Sequence, residues 1–302
     1  MRSVGIIGLG HVGMTTAFNL VAQNVCDKLI LIESNQVRAD AEYLDLVDGQ
    51  SAVTPTCQII MNDYASLKKA DVVIFAAGQG DSTDDGDRNS EMKTTKKAVD
   101  EVAPLLIASG FKGVLVNISN PCDVITAYWQ AILPLPQNQV IGTGTMLDTN
   151  RMRRGLAQAL GCNAADVQGF NMGEHGESQF TAWSTVALLN QDQAALETLD
   201  RVDLENKARA GGWTIYEGKH YTNYGIAMVA LVLTRAILSD SGATFSLSYF
   251  DPAVGTYIGH PAKVGHQGIM APVPVALTPT ERAKYQASAD YIQTNFEKLK
   301  LL

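Results

Sequence analysis

Residues 3–13 read SVGIIGLGHVG. The first five are apolar or small and suit a buried strand. Gly8-Leu9-Gly10-His11-Val12-Gly13 then spells a glycine turn of the GxGxxG type, and a helical pattern from His11 to Asn24 follows. Such a motif standing alone is weak, but at a strand end that opens a helix it is strong. Gly8, Gly10 and Gly13 let the backbone turn sharply and come close to a ligand, with Val12 inside the same turn. The helix start offers unpaired N–H groups and a positive dipole end to a pyrophosphate.

Working outward, the first half repeats this strand–helix alternation. SVGIIG, KLILIE, CQIIMN, VVIFAAG, VLVNIS and VIGTG are apolar throughout, as parallel strands covered on both faces are. Helical patterns lie between them at 11–24, 36–48, 64–69, 89–109 and 121–133, and Pro104 is expected to kink the fourth. The prediction is an α/β chain with a Rossmann-type, doubly wound parallel sheet over residues 1–143. Glu33 ends the second strand, twenty-five residues after Gly8. An acid there accepts both ribose hydroxyls of adenosine and repels a 2′-phosphate, which favours NAD over NADP. Gly78, closing VVIFAAG, is a further cofactor candidate.

After about residue 144 the pattern changes to that of an α+β substrate or catalytic domain, 144–302. LDTNRMRRGLAQALG reads as a helix ending near Gly161. VQGFNMGEH and SQFTAWSTVALL can pair as antiparallel strands. A helix is expected around 204–210, a long one at about 222–239, and several short strands between 245 and 277. Thr278-Pro279-Thr280-Glu281 is a capping box with proline in the first turn.

Composition limits the function. The 302 residues are 46% hydrophobic and carry a net charge of −8, which argues against nucleic acid or an anionic membrane surface as partner. No apolar run reaches membrane-span length, and the N-terminus lacks a leader pattern, so a cytoplasmic protein is expected. Cys26, Cys57, Cys122 and Cys162 are far apart in sequence and show no zinc spacing, so they read as buried structural thiols and no metal is expected.

Two stretches carry candidate chemistry. Asn171–Ser178 reads NMGEHGES, with His175 between an acid and a glycine. Histidine titrates near neutrality and suits proton donation to a carbonyl oxygen. Asp148 and Arg151 are three apart and share a helix face. A carboxylate beside His175 would fix its tautomer and raise its pKa, while Arg151 offers a planar fork to a substrate carboxylate. Spacing alone does not bring His175 to Asp148. Residues 78–91, GQGDSTDDGDRNSE, surround Arg88 with five acids. That is either a solvated charge run or a loop that carries a working arginine.

GIIGLGHVG, ISNPCDV, VIGTGTMLDTNR, NMGEHGESQF and GKHYTNYGIA, in that order, resemble the L-lactate/malate dehydrogenase family over nearly the whole chain. VIGTGT-LDT-RM and GEHG-SQF-AWSTV are especially similar to the L-2-hydroxyisocaproate dehydrogenases of lactic acid bacteria. The resemblance implies an NAD-dependent L-2-hydroxyacid dehydrogenase that reversibly reduces 2-oxo acids, and a homo-oligomer, either dimer or tetramer. It assigns His175 as proton donor, Asp148 as its partner, Arg151 as carboxylate clamp and Arg88 as the loop arginine that polarises the carbonyl. Asn120 lies near substrate and nicotinamide, with a bond to Pro121 that is usually cis in the family. Thr222 and Ile226 match pocket and nicotinamide contacts.

Ser82 takes the place of the second loop arginine that reads a dicarboxylate in the family's malate dehydrogenases. The loop looks one residue longer than usual, so Asp81 to Thr83 are all candidates for that place; none is basic, and acids stand around them. The expectation is a 2-oxo acid with an apolar side chain. Plain L-lactate dehydrogenase, reducing pyruvate, is the alternative, and a non-catalytic NAD-binding protein is a remote one. Family members activated by a sugar bisphosphate use an arginine and a histidine. Arg153 matches the arginine, but Gln168 stands at the histidine's place, so such activation is not expected.

Overall fold

The computed structural model describes residues 1–54, 56–78, 88–189 and 192–302, the side chains of residues 88–90 apart. Six strands come first: β1 (Ser3–Ile7), β2 (Lys28–Ile32), β3 (Gln58–Met61), β4 (Val72–Phe75), β5 (Val114–Asn117) and β6 (Val140–Gly142). Between them run α1 (His11–Ala22), α2 (Gln36–Gln50), α3 (Arg88–Ser109) and α4 (Cys122–Ile132). The strands pair in parallel in the order β3-β2-β1-β4-β5-β6. The order reverses between β1 and β4, and a crevice opens there beyond the strands' carboxyl ends.

Residue alternation explains why these strands are apolar on both sides. Val4, Ile6, Leu29, Leu31, Val72, Ile74, Val114 and Val116 face one core. Ile7, Ile30, Ile32, Val73, Phe75 and Leu115 face a second core on the opposite side of the sheet. α3 supports the second core through Val99, Ala103 and Leu106, and it continues through Pro104. A helix-interior proline costs about 3 kcal/mol. Burying each large apolar side chain returns roughly 1.5–3 kcal/mol, so this face offsets the cost.

Further along lie α5 (Met146–Leu160), β7 (Val167–Gln168), β8 (Asn171–Met172), β9 (Phe180–Thr181), β10 (Ala187–Leu188), α6 (Arg201–Lys219) and α7 (Tyr224–Leu238). β11 (Ala243–Asp251), β12 (Thr256–Gly265), β13 (Gly268–Pro272) and α8 (Pro279–Lys300) complete the chain. α5 ends at Gly161, whose φ of 66° is left-handed. β7 with β10, and β8 with β9, form two small antiparallel pairs. The capping box at Thr278 and Glu281 is formed on both sides.

Three expectations are corrected. α6 spans 19 residues rather than 204–210, because Gly211-Gly212 does not end it but packs it closely on α5. β11 and β12 are long strands of 9 and 10 residues, and with β13 they extend the parallel sheet through β6 to nine strands. Pro261 hides this in the sequence. It has no N–H to give, and pairing to β13 runs from Ala262 onward. Cys26 and Cys57 are buried, as expected of structural thiols, and bring their sulfurs to 3.7 Å just before adjacent strands β2 and β3. His260, which the sequence alone reads as a surface or loop residue, belongs to β12, is half-buried, and places its Nδ1 2.9 Å from the Tyr249 hydroxyl.

Candidate active site

The glycine turn follows β1 and opens α1. Gly8 has φ 96°, and a Cβ there would meet the Ala77 backbone at 2.6 Å. A Cβ on Gly13 would strike the Gly8 carbonyl oxygen. These two glycines lock helix against strand. Gly10 differs, because a Cβ there meets nothing within 4 Å. It caps α1 without a side-chain hydrogen bond, and no acid occupies the first turn. Open space in front of free helix N–H groups is what a pyrophosphate needs.

Glu33 reaches this turn from the end of β2. Its Oε2 accepts the Leu9 N–H at 3.0 Å, and its Oε1 accepts the Asn35 N–H at 2.9 Å. The carboxylate therefore stands beside the turn, where an adenosine ribose would lie. Gly78 follows β4, has φ 156°, and packs on Thr95 with a notional Cβ at 3.1 Å. Ser119 Oγ donates to Ala77 O at 2.7 Å, tying the ends of β4 and β5 together. The Asn120–Pro121 bond is cis, as the resemblance implied, and Asn120 is exposed at this edge. His11 opens α1 with its ring stacked on Tyr221 at 3.7 Å, next to Thr222.

The second cluster is built from three segments. Gly173 (φ 95°) turns the chain after β8, and its backbone pairs with Gly259 of β12. This holds the loop that presents His175. Asp148, in the first turn of α5, is 1% exposed and receives two partners. His175 Nδ1 lies 2.6 Å from its Oδ2, and Arg151 Nη1 donates to its Oδ1 at 3.1 Å. The contact that spacing could not place is therefore made.

The charges set the chemistry. Burial alone would lower the pKa of His175, but the Asp148 carboxylate, its hydrogen bond and the nearby Asp123 outweigh it and push the value up to about 9. Burial alone would raise Asp148, yet His175 and Arg151 hold it below the usual carboxylate range. A protonated imidazole is thus stable near neutrality, with Nδ1 committed to Asp148 and Nε2 left to give a proton.

Arg151 also lines a cavity of about 680 Å³, and its guanidinium has further N–H groups to give beyond the one on Asp148. Leu147, Ile215, Thr222, Tyr224 and Ile226 line much of the wall, with Arg154, Lys207 and Lys219 also present. Thr222 sits in the connection before α7, one turn ahead of Ile226. Ser82 lies outside the described residues. For Arg88 only the backbone, at the start of α3, is described.

The chain matches the lactate/malate dehydrogenase NAD binding domain over residues 2–142 and that family's alpha/beta C-terminal domain over residues 145–301. The chain belongs to the lactate/malate dehydrogenase family. An L-lactate dehydrogenase 1 of Bifidobacterium longum subsp. longum is 36% identical over 310 residues, covering 99% of this chain and 98% of the relative. An L-lactate dehydrogenase of Streptococcus equi subsp. equi is 34% identical, covering 97% of this chain and 93% of the relative. A solved minor L-lactate dehydrogenase from Enterococcus mundtii superposes with a TM-score of 0.92 at 30% identity, covering 98% of both chains. The first half of the chain is therefore the NAD-binding domain of an oxidoreductase family, and the glycine turn is its conspicuous feature.

In this family member, two residues of the site escape a reading by motif. Gly212 lies on α6, and a Cβ there would stand 3.3 Å from Arg151 Nη2 and 3.4 Å from Nη1. Asp123, in the first turn of α4, accepts the His175 backbone N–H on Oδ2 at 2.8 Å. Its signal was present in CDVITAYWQAI, where one acid sits in an otherwise uncharged, largely apolar helix.

Proposed function

We propose that the chain is an NAD-dependent L-2-hydroxyacid dehydrogenase that reversibly reduces small 2-oxo monocarboxylic acids. The observation that carries this is the His175–Asp148–Arg151 chain of contacts, whose Arg151 lines a largely apolar cavity. Bound nicotinamide supplies or accepts the hydride. Arg151 holds the substrate carboxylate, and His175, kept protonated by Asp148, gives its proton to the 2-oxo oxygen. Arg88 is proposed to approach the same oxygen and stabilise its developing charge. Gly8, Gly10, Val12, Gly13 and Gly78 would cradle the cofactor's phosphates. Glu33 would take the adenosine ribose and favour NAD over NADP. Asn120 and Ile226 would border the nicotinamide, with Thr222 and Ser82 near the substrate.

Two substrate readings each rest on an observation. The apolar wall formed by Leu147, Ile215 and Ile226 favours larger apolar side chains, as in L-2-hydroxyisocaproate dehydrogenases. The names of the relatives favour pyruvate, as in L-lactate dehydrogenase. The cavity also qualifies the argument against a dicarboxylate. Lys207 is paired with Asp203, and Lys219 with Asn223 and two tyrosine rings, whereas Arg154 stands on the rim where a second carboxylate could reach it. The test is kcat/KM for pyruvate, 2-oxo-4-methylpentanoate and oxaloacetate, with NADH and with NADPH. Oxaloacetate as the best substrate would overturn the monocarboxylate reading, and no turnover of any would overturn the activity.

A homo-oligomer is also proposed. Tyr224, Met228 and Val232 form an exposed apolar stripe at four-residue spacing on α7, a face suited to a second copy. Light scattering of the purified protein checks it, and a monomer at working concentration would refute it.

A further inference from the structure

His175 is held by two buried carboxylates. Asp148 takes the imidazole at Nδ1, and Asp123 takes the main chain of the same residue. The two come from different helices, α5 and α4. Asp123 is 1% exposed. Its Oδ1 and the hydroxyl of Ser248 on β11 make no well-formed hydrogen bond among the described residues, and the Ser248 hydroxyl is the side-chain donor near the carboxylate. A buried carboxylate with so few partners is expensive to keep, and leucine or alanine would avoid the cost if only helix packing were at stake. The residue therefore calls for a task that needs its charge or its acceptor.

We propose that Asp123 is a positioning residue for His175, fixing the loop through its backbone N–H and placing a second negative charge behind the imidazole. This inference rests on the proton-donor role proposed for His175. The electrostatics agree with the geometry. Asp123 is among the groups that raise the His175 pKa, after Asp148. Burial in turn pushes Asp123 up to about 6, against the opposing influence of Ser248 and the His175 N–H, while Glu174 adds to the rise. Around the imidazole the charged groups are Asp148 and Arg151 from α5 and Asp123 from α4. Around Asp123 they are Glu174 and His175 from the loop, with Tyr285 from α8 and Cys122 from its own helix. At neutral pH Asp123 is largely ionised, so it supports the imidazolium through the range in which reduction needs a proton donor.

Asp123→Asn separates charge from shape. The amide oxygen can still accept the His175 N–H, and the amide NH2 gains Ser248 Oγ as an acceptor. Loss of the charge removes support for the imidazolium only. The descending limb of kcat/KM for 2-oxo acid reduction, and the ascending limb for 2-hydroxy acid oxidation, should both move to lower pH by about one unit. NADH affinity should stay within about twofold, since no cofactor group is touched. A merely structural role would lower both directions together and leave the limbs in place. Asp123→Ser, neutral and smaller, should give the same shift and serves if the asparagine variant does not fold.

Titration of His175 by NMR on histidine-labelled protein reads the same shift without turnover. An unchanged His175 pKa in either folded variant overturns the inference. Failure of the wild-type enzyme to reduce any 2-oxo acid would overturn the proposed activity instead, and the NMR titration would still decide the role of Asp123.

Discussion

The glycine turn and the His175 cluster are held by opposite means. At the turn the protein works by leaving atoms out: side chains at Gly8 and Gly13 would collide with backbone, and Gly10 faces open space. At the cluster it works by adding charge: Asp148, Asp123, Arg151 and His175 meet in a site with little solvent. The first is steric, local and contained in one stretch of six residues. The second is electrostatic, joins three segments, and exists only once β8, α4 and α5 are in place. Damage at the turn should therefore weaken cofactor binding at every pH, whereas damage at the cluster should change how the rate depends on pH.

Asp148→Asn tests the contrast with the largest expected effect. It keeps the shape but removes the charge that holds His175 protonated and oriented. kcat/KM for reduction should fall by about 10²- to 10³-fold with NADH binding retained, measured by steady-state kinetics and fluorescence titration. A comparable loss of NADH affinity would mean that the two regions are not separable. Gly13→Ala should do the reverse. Its methyl collides with the Gly8 carbonyl, so NADH affinity should drop by at least about 10-fold, with stability lowered by about 1–3 kcal/mol.

A subtler change lies between the regions. Gly212→Ala places a methyl about 3.3 Å from the Arg151 guanidinium, so Arg151 must shift. KM for the 2-oxo acid should rise by about 10-fold, with kcat less affected. Equal KM would show that Arg151 has slack. The smallest expected effect is on stability. The pKa of His175 is raised from 6.5 to about 9 on folding. Its contribution is fully present below pH 6.5 and is lost as pH rises through 9. Thermal melts from neutral to alkaline pH should show a decline that is reduced in His175→Gln.

The turn was legible in the sequence because a contiguous motif encodes it, and the six parallel strands because their apolar runs are unbroken. What failed to show followed from tertiary context. Gly211-Gly212 looked like the end of a helix, yet packing against Arg151 and α5 carries α6 through it. Pro261 made two long strands look like fragments. His175 and Asp148 were recognisable by type and by resemblance, but 27 residues of chain hid their contact. Asp123 went unread because a helix pattern treats an acid in the first turn as dipole complement, and only burial shows that its partner is the His175 backbone.

The join between β6 and β11 has one more consequence. Gly142 and Ser248 are paired there, so one sheet runs from β3 to β13 without a seam. The NAD-binding half and the C-terminal half are thus joined by a strand pairing, where many two-domain enzymes have a flexible strap. Heating should melt both in a single cooperative step, with calorimetric and van't Hoff enthalpies in agreement. A protease should find no cut near residue 143 that frees either half intact, because residues 143–145, between β6 and α5, are buried.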